Sequence, residues 1–85
     1  LYILNDYNDR NTVVAHLSLD HNERAMELLA TMPKDAVTEY LRAIACSRLG
    51  RKAEGREHFL EACRLDGRME YRGNLDPEIA ELLKQ

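Results

Sequence analysis

Tryptophan is absent from this sequence, and Phe59 is its only phenylalanine. No aromatic platform is interleaved with the basic residues, so half of what a nucleic-acid surface requires is missing. No apolar run approaches the ~20 residues of a membrane-spanning helix, and residues 1–9 lack the basic-then-apolar order of an export signal. Direct membrane insertion is not expected. Cysteine is scarce: Cys46 and Cys63 stand alone, without the CxxC spacing of a redox or zinc motif. His16, His21 and His58 make no HExxH pattern, and His16 and His21, five positions apart, do not share a helical face. Even His16 beside Cys46 would supply only part of the four-ligand set of a structural zinc site. Glycine-rich phosphate loops and nucleophile elbows are missing as well. The expectation is a chain that is not an enzyme and holds no metal and no cofactor.

What is present describes a small helical domain. At 85 residues the chain is expected to enclose a single core, and a 45% apolar share with 32% charged residues suits a folded chain rather than a disordered one. It opens on Leu1 without an initiator methionine, as a piece of a longer protein would. The net charge of −3 is unevenly spread. Residues 1–41 carry 3 basic against 7 acidic side chains, residues 42–72 carry 8 against 5, and residues 73–85 carry 1 against 3. The arginine-rich middle holds Arg42, Arg48, Arg51, Arg56, Arg64, Arg68 and Arg72, with Glu54, Glu57, Glu61, Asp66 and Glu70 among them at helical spacings. Such a pattern reads as a solvated, self-paired face rather than as a phosphate-binding surface. No nucleic-acid partner is expected.

The chain repeats itself. Val14, Ala15, Leu19, Asp20, Ala25, Leu29 and Met32 recur thirty positions later as Ile44, Ala45, Leu49, Gly50, Gly55, Phe59 and Ala62. Each copy contains a helix, a tight turn at Asp20 or Gly50, and a second helix. Helices are predicted over 6–18, 22–32, 35–49, 52–65 and 77–84. The apolar stripe of the third (Val37, Tyr40, Leu41, Ile44, Ala45, Leu49) has clear three- and four-residue steps. Asp35 can cap its start and Gly50 can take the left-handed conformation that ends it. Pro33 stops the second helix, and Asp76-Pro77 starts the last, whose apolar face is Ile79, Leu82 and Leu83. No segment alternates like a strand.

Arg48 to Asp66 resembles the second half of a tetratricopeptide repeat, with Gly50, Gly55, Phe59 and Ala62 in the places of its turn glycine, small residue, aromatic and alanine. Asp20, Ala25, Leu29 and Met32 fill those places in the first copy. The resemblance implies an all-α fold, a right-handed array of antiparallel helix hairpins. Repeat one would cover about 6–33, repeat two about 35–66 and a capping helix about 76–85, in one domain. It also implies close approach of Val13 to Ala25 and of Ala43 to Gly55. Two departures stand out. The period is thirty rather than the family's ~34, and two of the family's inward positions in copy two, Glu39, Arg42, Ala43 and Cys46, are charged. The run Met69 to Ile79 is similar to the C-terminal end of envelope- and fimbria-associated proteins of Bacteroidetes-type bacteria, which would place the chain at the cell envelope; otherwise it would be cytoplasmic.

The resemblance implies a protein-interaction scaffold that grips a protein or peptide segment in a groove lined by the first helix of each repeat. The groove residues would be Tyr7, Arg10, Val14, Leu17 and Ser18 in copy one and Val37, Tyr40, Ile44, Ser47 and Arg48 in copy two. Tyr40 and Arg48 lead this set, because tyrosine and arginine dominate interface energies. Family members that grip a terminal carboxylate place Lys and Asn where Val14 and Val37 stand, so that ligand is not expected here. The alternative is a purely structural C-terminal cap that packs on a neighbouring domain of the same protein.

Overall fold

The computed structural model describes residues 10–84, which form six helices and no strand: α1 (Arg10–Ser18), α2 (Asn22–Ala30), α3 (Ala36–Arg48), α4 (Lys52–Leu65), α5 (Arg68–Asn74) and α6 (Pro77–Leu82). The all-helical expectation holds over these residues. The part of the first predicted helix ahead of Arg10 lies outside them. α5 was not expected at all, and α2 ends two residues sooner than its apolar pattern suggested.

The thirty-residue repeat is visible in the backbone itself. Asp20 and Gly50 both take positive φ, 61° and 80°. In each copy the next amide reaches back to the final turn of the helix before it: His21 N donates to His16 O and Arg51 N to Cys46 O, both at 2.8 Å. These bonds satisfy carbonyls that a helix end leaves open, and a left-handed residue is what lets the chain turn back to make them. Asp20 achieves this without glycine, because a short polar side chain tolerates the left-handed region better than most.

Side-chain caps fix the starts of α3 and α6. Asp35 Oδ1 accepts from Thr38 N, and Asp35 N donates to Thr38 Oγ1, each at 2.9 Å, a reciprocal pair that closes the first turn of α3. Asp76 Oδ1 accepts from Glu78 N at 3.0 Å ahead of Pro77, as the Asp-Pro signal implied.

α3 packs against all five other helices. Two apolar clusters meet on it, instead of the single core expected. Val13, Leu17, Ala25, Leu28 and Leu29 close on Leu41 and Ala45 from one side. Phe59, Ala62, Met69, Ile79 and Leu82 close on Tyr40 and Ala43 from the other. Burial of each large aliphatic or aromatic side chain is worth about 1.5–3 kcal/mol, so the helix that serves both clusters organises the domain.

Small residues set the closest contacts. A Cβ on Gly55 would stand 3.1 Å from Ala43 O and 3.0 Å from Leu82 Cδ1, so the expected Ala43–Gly55 approach is present and α6 seals it. Val13 and Ala25 are both fully buried in the first cluster. Gly73 of α5 is tighter still: a Cβ there would lie 2.5 Å from the Phe59 ring. Leu83, assigned to the buried stripe of the last helix, is instead 40% exposed, because the helix ends at Leu82.

Candidate interaction face

The expected groove residues fall into three groups. Tyr7 lies outside the described residues. Leu17 and Tyr40 are core: Leu17 is 6% exposed and Tyr40 is 0% exposed, so neither offers a surface to a partner. This corrects their assignment to the groove. The third group remains at the surface in part or whole, with Arg10, Val14 and Ser18 exposed on α1 and, on α3, Arg48 exposed and Val37, Ile44 and Ser47 half-buried.

Tyr40 is fixed from three sides. Its hydroxyl donates to Asp76 Oδ2 at 2.7 Å. Its ring meets Phe59 edge-on at 6.0 Å between centroids, and the guanidinium of Arg72 lies 4.8 Å from its centroid on α5. Burial, followed by the hydrogen bond to the Asp76 carboxylate, pushes the phenol well above its usual pKa. Arg48 is equally committed. Its Nη2 and Nε contact the two carboxylate oxygens of Glu78 at 2.6 and 3.0 Å, and its Nη1 donates to Leu17 O at 2.6 Å. Both residues chosen as leading binding groups therefore hold α6 and α5 onto α3. At Tyr40 and Arg48 the face of α3 that was to line copy two's half of a groove is engaged by the chain's own C-terminal helices.

The charged inward positions have a different explanation. Glu39, 3% exposed, accepts from Arg42 Nη1 at 2.8 Å and lies 3.1 Å from His58 Nδ1. Arg42 Nη2 donates to Leu29 O and, at 3.3 Å, to Met32 O, the carbonyls at the end of α2. A buried charge is costly unless paired and hydrogen-bonded, and here one guanidinium pairs with Glu39 and adds a donor to carbonyls at and just beyond the end of α2.

The other arginines are mostly paired within their own neighbourhood. Arg64 pairs with Glu61 and Arg68 with Asp66, while Arg56 reaches Leu82 O at 3.4 Å. Lys34 also joins Glu61, at 2.8 Å, and the two cations hold that carboxyl down at about 2. His16 and His21 are brought together after all, Nδ1 to Nδ1 at 3.3 Å, because the Asp20 turn folds His21 back over the end of α1. Among the described residues no group of three or more metal-ligating side chains forms. Cys46 is buried and Cys63 half-buried, both as free thiols, and burial raises the pKa of each. No helix among the described residues is long and apolar enough to cross a membrane.

An open, largely apolar concavity lies along α1. Its volume is about 650 Å³, and among the described residues it is lined by Asn11, Val14, Ala15, Ser18 and Leu19. These positions recur every three or four residues along α1, on the side away from Val13 and Leu17. Val14 is 47% and Leu19 54% exposed. Asn11, Ala15 and Leu19 were not among the expected groove residues, although the repeat register aligns them with Leu41 and Ala45 of α3 and with Leu49, its C-cap. No protein-family model, curated protein or solved structure matches this chain significantly.

Proposed function

We propose that this chain works as a protein-interaction module in a tetratricopeptide-like hairpin array, with its contact surface on α1 and a closed end at α5–α6. The observation that carries this reading is the asymmetry between the two copies. In copy two Tyr40 is buried and Arg48 is bonded to Glu78 of α6, whereas in copy one Val14 and Leu19 border an open apolar concavity. A large apolar side chain left half-exposed is ordinary alone, but two of them lining one hollow mark a place for another surface.

This reading moves the expected groove. Val14 and Ser18 stay within it and Asn11, Ala15 and Leu19 join it, while Leu17 and Tyr40 belong to the core and Arg48 is bonded to Leu17 O and Glu78. Contact with protein, rather than with nucleic acid or a small substrate, fits a face that is apolar and unlined by arginine. A photo-reactive phenylalanine analogue placed at Val14, and in a control at exposed Leu60, tests it in the natural polypeptide. A polypeptide cross-link at Val14 and none at Leu60 is the expected result. Absence of any cross-link at Val14 would overturn the reading.

A further inference from the structure

We propose that His16 and His21 form a one-proton clasp on the α1–α2 turn, which opens when acid supplies a second proton and so makes the α1 face pH-dependent. Only the last step rests on the reading of α1 as the contact surface; the clasp itself does not.

Two ring nitrogens face each other across the turn. His16 Nδ1 lies 3.3 Å from His21 Nδ1, and the ring centroids are 5.5 Å apart, so the nitrogens meet rather than the ring faces. Two bare lone pairs, or two N–H groups, would repel at that distance; one nitrogen must donate and the other accept. The buried side decides which. His16 is 6% exposed, and its Nε2 has no hydrogen-bond partner among the described residues. A proton on Nε2 would leave a buried donor unpaired, so His16 carries its proton on Nδ1 and donates it to His21 Nδ1. His21, which is exposed, then holds its own proton on Nε2.

Neither ring can take a second proton at no cost. On His21 it would occupy the accepting Nδ1 and break the bond; on His16 it would charge a buried ring whose Nε2 has no partner. α1 packs on α2 and α3, and the charged groups around the pair offset one another. Asp20 of the turn and Glu23 and Arg24 of α2 line one shallow hollow with His21, while Arg48 of α3 reaches Leu17 O and, at 3.5 Å, Asp20 Oδ1. Two carboxylates are thus set against two guanidiniums. His21 is also the N-cap of α2, whose positive end opposes a cation, whereas the C-terminal end of α1 favours one on His16. The lost bond and the buried nitrogen therefore decide the outcome. Imidazole is the side chain that gains its charge between about pH 8 and pH 5, and proton uptake that the folded turn resists opposes the fold, so the turn loosens as pH falls. Leu19, which borders the concavity, lies between the two histidines in the chain.

The molecule supplies its own control. Thirty positions on, His16 and His21 become Cys46 and Arg51, and the turn there makes the same 2.8 Å reach-back bond without an imidazole. Long-range proton–nitrogen NMR distinguishes protonated from bare imidazole nitrogens and reads the tautomer. Amide hydrogen exchange at His21 and Arg51, corrected for the intrinsic rate at each pH, reads the two turns. At pH 8 a proton on Nδ1 of His16 and a bare Nε2 are expected. On acidification to pH 5, corrected exchange at His21 should rise up to ~10-fold relative to Arg51, the scale of one lost hydrogen bond. His21→Gln keeps an acceptor for His16 and removes the titration, so the rise should vanish.

A proton on Nε2 of His16 at pH 8 would overturn the clasp, whatever the variants do. So would a rise that persists in His21→Gln and disappears in His58→Gln, since it would place the response at the Glu39 pair. For the face, the cross-link from Val14 should weaken at pH 5 in the parent chain and not in His21→Gln. A cross-link indifferent to pH would overturn the clasp's control of the face, and no cross-link at any pH would overturn the contact reading while the NMR result stood.

Discussion

The carboxylate of Asp76 is shared between two helices: Oδ1 accepts from Glu78 N at 3.0 Å and starts α6, while Oδ2 accepts from the hydroxyl of Tyr40 at 2.7 Å and ties that start to α3. Replacing Tyr40 by Phe keeps the ring against Phe59 and removes only the tie. A destabilisation of ~1–3 kcal/mol is expected, seen as a lower urea midpoint with an unchanged slope. A Tyr40→Phe chain with the parent midpoint would show that the hydroxyl contributes nothing.

Gly73 and Gly55 should rank in that order of intolerance. At Gly73 a methyl group would sit 2.5 Å from a buried aromatic ring, whereas at Gly55 it meets a flexible leucine methyl at 3.0 Å and a backbone oxygen at 3.1 Å. Helix propensity favours alanine by ~1 kcal/mol at both, so Gly55→Ala is expected to be near neutral and Gly73→Ala to lose stability. Gly55→Leu overpacks the same gap and should cost ~1–3 kcal/mol. Thermal melts of the three variants read the order directly.

Truncation after Asn74 removes Ile79 and Leu82, both fully buried, together with the partners of Tyr40 and Arg48. At ~1.5–3 kcal/mol per side chain and ~4–8 °C of melting temperature per kcal/mol, a fall of ~10 °C or more is expected. A truncated chain that melts like its parent would make the last helix an appendage.

Thiol chemistry should follow burial. Burial raises the pKa of Cys46, with Glu54 adding to the effect, and burial followed by Glu70 raises that of Cys63. The reactive thiolate is therefore scarce near neutral pH. Thiol titration of the folded domain is expected to be slow at both, slower at Cys46, and complete only in denaturant. Rapid stoichiometric reaction in the native state would contradict the packing around α3 and α4.

Acid should loosen α3 through its cap. The Thr38 amide hydrogen bond holds Asp35 below the usual carboxylate range, so the folded state favours the ionised form. That contribution is complete above the unfolded-state pKa of about 3.9 and is lost as pH falls through the lower folded value. Asp35→Asn keeps a capping side chain and removes the titration, so its urea midpoint should fall less between pH 5 and pH 2. Asp35→Ala should lose ~1 kcal/mol near neutrality. An acid limb unchanged by Asp35→Asn would place the pH dependence elsewhere.

The four longer helices were legible because each carries a repeating apolar stripe and a recognisable stop or start. α5 was not, since its seven residues bury only Met69 and Gly73, and one apolar side chain makes no period. Glu39 and Arg42 were read as spoiling an inward face because periodicity counts apolar residues and cannot see that two charges cancel. Tyr40 and Arg48 were misplaced for a related reason: a ring with a polar end and a five-donor cation serve an internal junction as well as a partner.

Arg42 joins the two hairpins in a way that apolar packing alone would not. Units that meet only through side chains can melt one at a time from an end. Here the carbonyls that finish α2 find their donor on α3, and the same guanidinium neutralises Glu39. If the first hairpin peeled away, an ion pair built for the interior would be left half-solvated, and Leu29 O and Met32 O would lose Arg42 as a donor. The consequence is one melting unit where the sequence shows two copies: a single calorimetric transition whose van't Hoff and measured enthalpies agree, separating into two when Arg42 is replaced by methionine.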